Sequence, residues 1–124
     1  MAEKWNIAVD ELHNKAMELA DEAFYAKRNK EPDLAQSKYL EAFIFESAAA
    51  QLLVNEYDKE PTRSVLYRSA ASLLLNLPFL SDEHVRNAER MVAFGLSGNP
   101  PEEIAIELRE IWYQVRNLLQ KKVA

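Results

Sequence analysis

The hydrophobic residues of this chain recur every three or four positions along most of its length. That spacing places them on one face of an α-helix, and no segment shows the sustained apolar–polar alternation of a β-strand. Proline and turn-forming residues divide the pattern into five segments. The pattern therefore predicts an all-α protein whose helices span about 7–29, 34–56, 62–77, 82–97 and 100–122.

The predicted helices differ in how much of their circumference is apolar. The second is apolar on nearly all sides, which is typical of a helix in the middle of a packed set. The fifth carries a single apolar stripe, formed by Ile104, Leu108, Ile111, Trp112, Val115 and Leu119. Because the predicted connections are short, we expect neighbouring helices to run antiparallel.

Helix-boundary residues support two of the predicted starts and one end. Ser81 can cap the fourth helix, and Asn99 with Glu102 three residues later forms the pattern of a capping box for the fifth. Gly95 and Gly98 suit the end of the fourth helix, where a left-handed residue is often required.

Length, charge and cysteine content narrow the classes of function. A chain of 124 residues is the size of one domain, which we expect to span 1–124. The absence of cysteine excludes disulfides and thiol catalysis. A formal net charge of -5 disfavours binding to nucleic acid through its phosphates. The N-terminus is charged and the longest uncharged run, 69–81, is too short to span a bilayer, so we expect a cytoplasmic protein with no membrane partner.

Small residues indicate a helical repeat. Gly95 lies seven residues after Ala88, and a proline closes the segment at Pro100. The segment resembles the second helix of a tetratricopeptide repeat, and the spacing of Ala35, Tyr39 and Ala42 resembles an earlier copy; those three residues lie in the second predicted helix. The resemblance implies a short tetratricopeptide-like array of helical hairpins, with the fifth helix as its C-terminal cap.

A narrower resemblance covers about half of the chain. The runs at 68–71 (RSAA), 88–90 (AER) and 95–109 (GLSGNPPEEIAIELR) are similar to a small group of bacterial tetratricopeptide-like proteins with no assigned activity. The resemblance implies a scaffold that binds another protein or peptide. We therefore predict a non-catalytic protein–protein interaction module, an adaptor or a regulatory subunit.

The residues that could carry catalysis form no known constellation. His13 and His84 are the two histidines, and neither has a glutamate three residues before it, as a di-iron bundle requires. No arginine lies four to six residues before either histidine, and no glycine-rich phosphate loop is present. We predict no enzyme activity, no metal and no cofactor, with solvated histidines. The alternative is a helical-bundle enzyme or small-ligand binder, such as a relative of the toxin-type ribonucleases.

Glu46 is the one charged residue placed inside an apolar segment. A buried carboxylate without a partner is costly, so Glu46 should pair with a cation. Arg68, in the apolar middle of the third helix, is the candidate for a structural ion pair, and Arg68→Ala would then cost about 3–5 kcal/mol. The alternative is that Arg68 contacts a partner in a groove.

Trp112 and Tyr113 are adjacent and should point to different sides of the fifth helix. We expect one of them in the core and the other exposed. The alternative is an adhesive terminal helix that pairs with a partner helix or with a second copy, giving a homodimer. With Arg68, these two aromatic residues are the candidate partner-binding residues.

Overall fold

The computed structural model describes the backbone of residues 2–123 and the side chains of residues 7–121. Within these residues the chain forms five α-helices, α1 (Ala2–Arg28), α2 (Pro32–Leu52), α3 (Thr62–Leu75), α4 (Asp82–Leu96) and α5 (Glu102–Val123). A 3₁₀ turn over Tyr57–Lys59 stands between α2 and α3, and the described residues contain no strand. The prediction of an all-α protein with five helices is confirmed.

Side-chain contacts show that consecutive helices run antiparallel. Glu22, late in α1, meets Lys38 early in α2, whereas His13 meets Glu46 further along α2. In the following pairs, too, a residue of one helix meets a residue from the opposite end of its neighbour: Gln51 with Tyr67, Arg63 with Ser97, and Gly95 with Leu108.

The α1–α2 hairpin packs through small residues spaced seven apart on both helices. Three buried positions of each helix have this spacing. They are Val9, Ala16 and Ala23 in α1 and Ala35, Ala42 and Ala49 in α2. A spacing of seven keeps a residue on the same face of a helix. Alanine on that face lets the two backbones approach closely, because no long side chain holds them apart.

Two helices lie between others in the packed set, α2, as its apolar circumference predicts, and α3. α3 packs against α2, α4 and α5, whereas α2 packs mainly against α1 and α3. The side of α2 that faces neither of them leaves Ile44 62% exposed. The apolar side chain of Ile44 therefore lies on the protein surface.

Several predicted helix boundaries differ from the structure: α1 begins at Ala2 rather than at about 7, α2 begins at Pro32 rather than 34, and α3 ends at Leu75 rather than 77. α2 ends at Leu52, because the chain turns at Leu53, whose N–H bonds the carbonyl of Ala50. α5 begins at Glu102, two residues late, because Pro100 is followed by a second proline that disfavours helical backbone at position 100. Asn99 donates its N–H to Glu60 Oε2 at 3.0 Å.

Ser81 caps α4 as predicted. Its Oγ accepts the N–H of His84 at 3.2 Å, and the Ser81 N–H is donated to His84 Nδ1 at 3.1 Å. A histidine thus takes the place that glutamate usually has in a capping box. His84 therefore stabilises the start of α4 through its hydrogen bonds with Ser81.

Neither Gly95 nor Gly98 adopts the left-handed backbone predicted for them. Both are needed for space instead. A Cβ on Gly95 would lie 3.0 Å from Leu108 Cδ1, and one on Gly98 would collide with the guanidinium of Arg63. These glycines permit contacts of α4 with α3 and α5.

Lys30→Gly should stabilise the protein by about 1 kcal/mol, because Lys30 has φ 61° at the end of α1. The Lys30 N–H bonds Lys27 O, and the Glu31 N–H bonds Ala26 O, which is the pattern that usually places glycine here. Asn29→Gly is the matched control and should not stabilise. Urea denaturation measures both, and a Lys30→Gly variant no more stable than the parent would contradict the assignment.

Candidate functional site

A cleft opens between the first half of α1 and the start of α3, and we call it the α1–α3 cleft. It consists of two adjoining cavities that share Val9, Asp10 and Thr62. The apolar pocket, about 180 Å³, is lined by Val9, Asp10, His13, Pro61, Thr62, Val65 and Leu66. The polar pocket, about 400 Å³, is lined by Val9, Asp10, Leu53, Asp58, Lys59, Glu60 and Thr62.

The connection between α2 and α3 produces this cleft. α1 and α3 both pack against α2 but make few backbone contacts with each other. The early end of α2 at Leu52 and the 3₁₀ turn at 57–59 carry the chain away before α3 begins at Thr62. The gap between α1 and the start of α3 remains open to solvent.

One wall of the apolar pocket is a histidine held by a buried carboxylate. Glu46 is completely buried, and its Oε1 and Oε2 lie 2.8 and 3.1 Å from His13 Nδ1. With Nδ1 engaged, Nε2 is the ring nitrogen left for other groups. A histidine oriented by a carboxylate can serve as a hydrogen-bonding group or as a general base.

The predicted ion pair between Glu46 and Arg68 is therefore wrong, although the burial of Glu46 is confirmed. Glu46 follows Ala42 by four residues and precedes Ala49 by three, so it lies on the face of α2 that packs against α1. The sequence predicts a solvated His13, and its side chain is 37% exposed, but its Nδ1 is bonded to Glu46.

Arg68 lies away from the cleft and forms an ion pair with Glu107 of α5. Its side chain is 29% exposed, and that of Glu107 is 48% exposed. Arg68 therefore links α3 to α5 at the surface.

Arg68→Ala should consequently lower the free energy of unfolding by less than about 1 kcal/mol, since exposed ion pairs contribute little. This replaces the larger loss expected from a buried pair with Glu46. Glu107→Ala should have a similar effect, and chemical denaturation of both variants checks it. A loss of several kcal/mol would show that Arg68 neutralises a buried charge after all.

Trp112 and Tyr113 are both exposed, at 39% and 64%, so the placement of one of them in the core is wrong. Their rings meet edge to face, with centroids 5.4 Å apart, although they occupy adjacent positions. Arg116 lies over the Trp112 ring at 5.8 Å and pairs with Glu89 of α4. The helices packed against α5 cover the stripe that contains Leu108 and leave Trp112 at its edge.

The sequence analysis missed Arg63, which is completely buried beside the cleft. Its Nε donates to Val54 O at 3.0 Å, its Nη1 to Gly95 O at 3.5 Å, and its Nη2 to Ser97 Oγ at 3.4 Å. One guanidinium thus joins the end of α2, the start of α3 and the end of α4.

Aromatic rings and a carboxylate complete the surroundings of Arg63. The rings of Tyr57 and Tyr67 lie 5.2 and 5.3 Å from the guanidinium, and Glu60 lies 3.9 Å away. Burial raises the pKa of the Tyr67 phenol, with Arg63 opposing the shift, and the hydroxyl donates to Gln51 Oε1 at 3.3 Å. Of these residues, Glu60 also lines the polar pocket.

The charged residues of the polar pocket fall into two groups. Glu60 is committed to the fold, because Oε1 accepts the Ser64 N–H at 2.9 Å and Oε2 accepts the Asn99 N–H at 3.0 Å. Asp10, Asp58 and Lys59 have no hydrogen-bond or ion-pair partner among the residues whose side chains are described. With respect to the side chains at 7–121, two carboxylates and one ammonium group are thus free in the cleft.

The described residues contain neither a cluster of metal ligands nor a helix that could span a membrane. Among the side chains at 7–121, no group of three or more histidine, aspartate and glutamate residues could hold a metal ion. In the part of the chain that the structure describes, none of the helices combines the length and apolar character needed to cross a membrane.

No protein-family model, curated protein or solved structure matches this chain significantly. The tetratricopeptide resemblance therefore stays a prediction. Its geometric part, consecutive helices packed in antiparallel pairs with an additional α3–α5 contact, agrees with a helical array and also with a bundle.

Proposed function

We propose that this chain is a non-catalytic protein-binding module that holds a segment of a partner protein in the α1–α3 cleft. The observation that carries the proposal is the cleft itself, an open apolar pocket continuous with a larger pocket that contains free charges. Apolar pockets with a few polar groups are the usual form of a binding site. Two adjoining pockets suit successive side chains of one segment.

The rigidity of the cleft supports the same proposal. The bond between His13 and Glu46 holds one wall, and the contacts of Arg63 and Glu60 hold the other. A site whose walls are fixed before binding loses less conformational entropy when the partner arrives. The cleft is therefore preorganised for an occupant.

A second candidate is the binding of a small ligand in the apolar pocket, favoured by the His13–Glu46 pair. The pocket of about 180 Å³ offers one oriented imidazole and the Thr62 hydroxyl among mostly apolar side chains. A ligand that binds the folded state raises the melting temperature. A thermal-shift screen on the parent and on His13→Ala would show stabilisation by such a ligand in the parent alone.

Photocrosslinking tests the protein-binding proposal. The amino acid p-benzoylphenylalanine is placed at Thr62, which lines both pockets, and at Ile44, which is exposed on α2 and lines neither pocket. We expect one recurrent protein adduct from the Thr62 site, reproduced with the purified partner, and none of that partner from the Ile44 site. Equal adducts at both positions, or none at Thr62, would contradict the proposal.

A further inference from the structure

We infer that the segment held in the α1–α3 cleft carries a lysine or arginine next to an apolar residue. The apolar side chain enters the apolar pocket, and the basic side chain pairs with Asp10 and Asp58. The inference rests on the proposed function and names the chemistry of the partner.

The apolar pocket selects the first of the two side chains. Val9 of α1 and Val65 and Leu66 of α3 line a pocket of about 180 Å³, which is room for one aliphatic or aromatic side chain. Val65 is only partly buried, so its surface is available to an occupant. An apolar side chain seated there removes both surfaces from water.

The free charges select the second side chain. Asp10 lines both pockets, so it lies where the apolar pocket meets the polar one. Asp58 adds a second free carboxylate, and Lys59 is the single free cation that lines the cleft among the described side chains. A basic side chain can pair with either carboxylate, whereas an acidic one can pair only with Lys59 and meets two like charges.

The net charge of the whole chain also favours a basic segment. The formal net charge is -5, so a basic segment is attracted from a distance and an acidic one is repelled. Like charges placed against each other are the usual means of rejecting a wrong partner. The cleft is therefore complementary to a basic–apolar segment in both its pockets.

Selection from a phage-displayed library of random dodecapeptides tests the inference. The baits are the parent protein, the charge-reversed variant Asp10→Lys/Asp58→Lys, the blocked variant Val65→Arg and the matched control Ile44→Arg, each checked for folding by circular dichroism. From the parent and from Ile44→Arg we expect about tenfold enrichment of lysine or arginine beside an apolar residue. The charge-reversed variant should select aspartate and glutamate instead.

The possible results separate this inference from the proposed function. Peptides that bind the parent but not Val65→Arg, and that show no preference for basic residues, would overturn the inference and leave the proposed function intact. Peptides that bind Val65→Arg as well as the parent, or no enrichment on the parent at all, would overturn both. An unchanged preference for basic residues on the charge-reversed variant would also overturn the inference. Asp10 and Asp58 would then not be the groups that select a basic side chain in the peptide.

Discussion

Replacing Arg63 with alanine should lower the free energy of unfolding by about 3–5 kcal/mol, the cost of removing one partner from a buried ionic network. The change leaves the carbonyls of Val54 and Gly95 and the Glu60 carboxylate without the guanidinium. It also opens a cavity between the rings of Tyr57 and Tyr67. Urea denaturation followed by circular dichroism measures the loss.

Arg109→Ala is the matched control for this prediction, because Arg109 is exposed on α5. We expect its effect to stay within about 0.5 kcal/mol. Arg63→Lys should recover only part of the stability, because an ammonium group cannot reach the α2 and α4 acceptors in the planar geometry of a guanidinium. A loss below about 1 kcal/mol for Arg63→Ala would show that the buried contacts of Arg63 do not hold the three helices together.

His13→Ala should cost about 2–4 kcal/mol, because it leaves the buried Glu46 carboxylate without its partner. Glu46→Met alone should cost much less, since an apolar side chain of similar length fills the site and His13 can turn to solvent. In the Glu46→Met background, His13→Ala should then have almost no further effect. Thermal and urea denaturation of the four proteins measures this cycle.

The coupling energy between His13 and Glu46 is the quantity that tests this prediction. A double-mutant cycle isolates the energy of a pair when each single change removes the contact without adding another. The same cost for His13→Ala in both backgrounds would mean that Glu46 gains nothing from the histidine.

The helices could be predicted from the sequence because their signals are local. Apolar spacing gave the five elements, and Ser81 gave the start of α4. Two of the displaced boundaries, the start of α5 and the end of α2, arise from neighbours along the chain, the double proline at 100–101 and the turn at Leu53. Of these, only the double proline was visible in the sequence.

The candidate site could not be predicted in the same way, because its contacts depend on which helix faces meet. The partner of Glu46 is decided by the alanine face of α2, and the spacing of Ala42 and Ala49 around Glu46 was the available signal. Arg63 reads as an ordinary charged residue at a helix start. Its burial follows from the approach of Gly98, which is 35 residues away along the chain.

The claim that the α1–α3 cleft holds the partner is tested by measuring how tightly two arginine variants bind the partner. The partner is identified by crosslinking and then purified for this measurement. Val65→Arg places a charged side chain in the apolar pocket, whereas Ile44→Arg adds the same side chain to the exposed surface of α2. By isothermal titration calorimetry we expect Val65→Arg to bind at least about tenfold more weakly and Ile44→Arg to bind like the parent. Equal affinities for the two variants would contradict the claim that the α1–α3 cleft holds the partner.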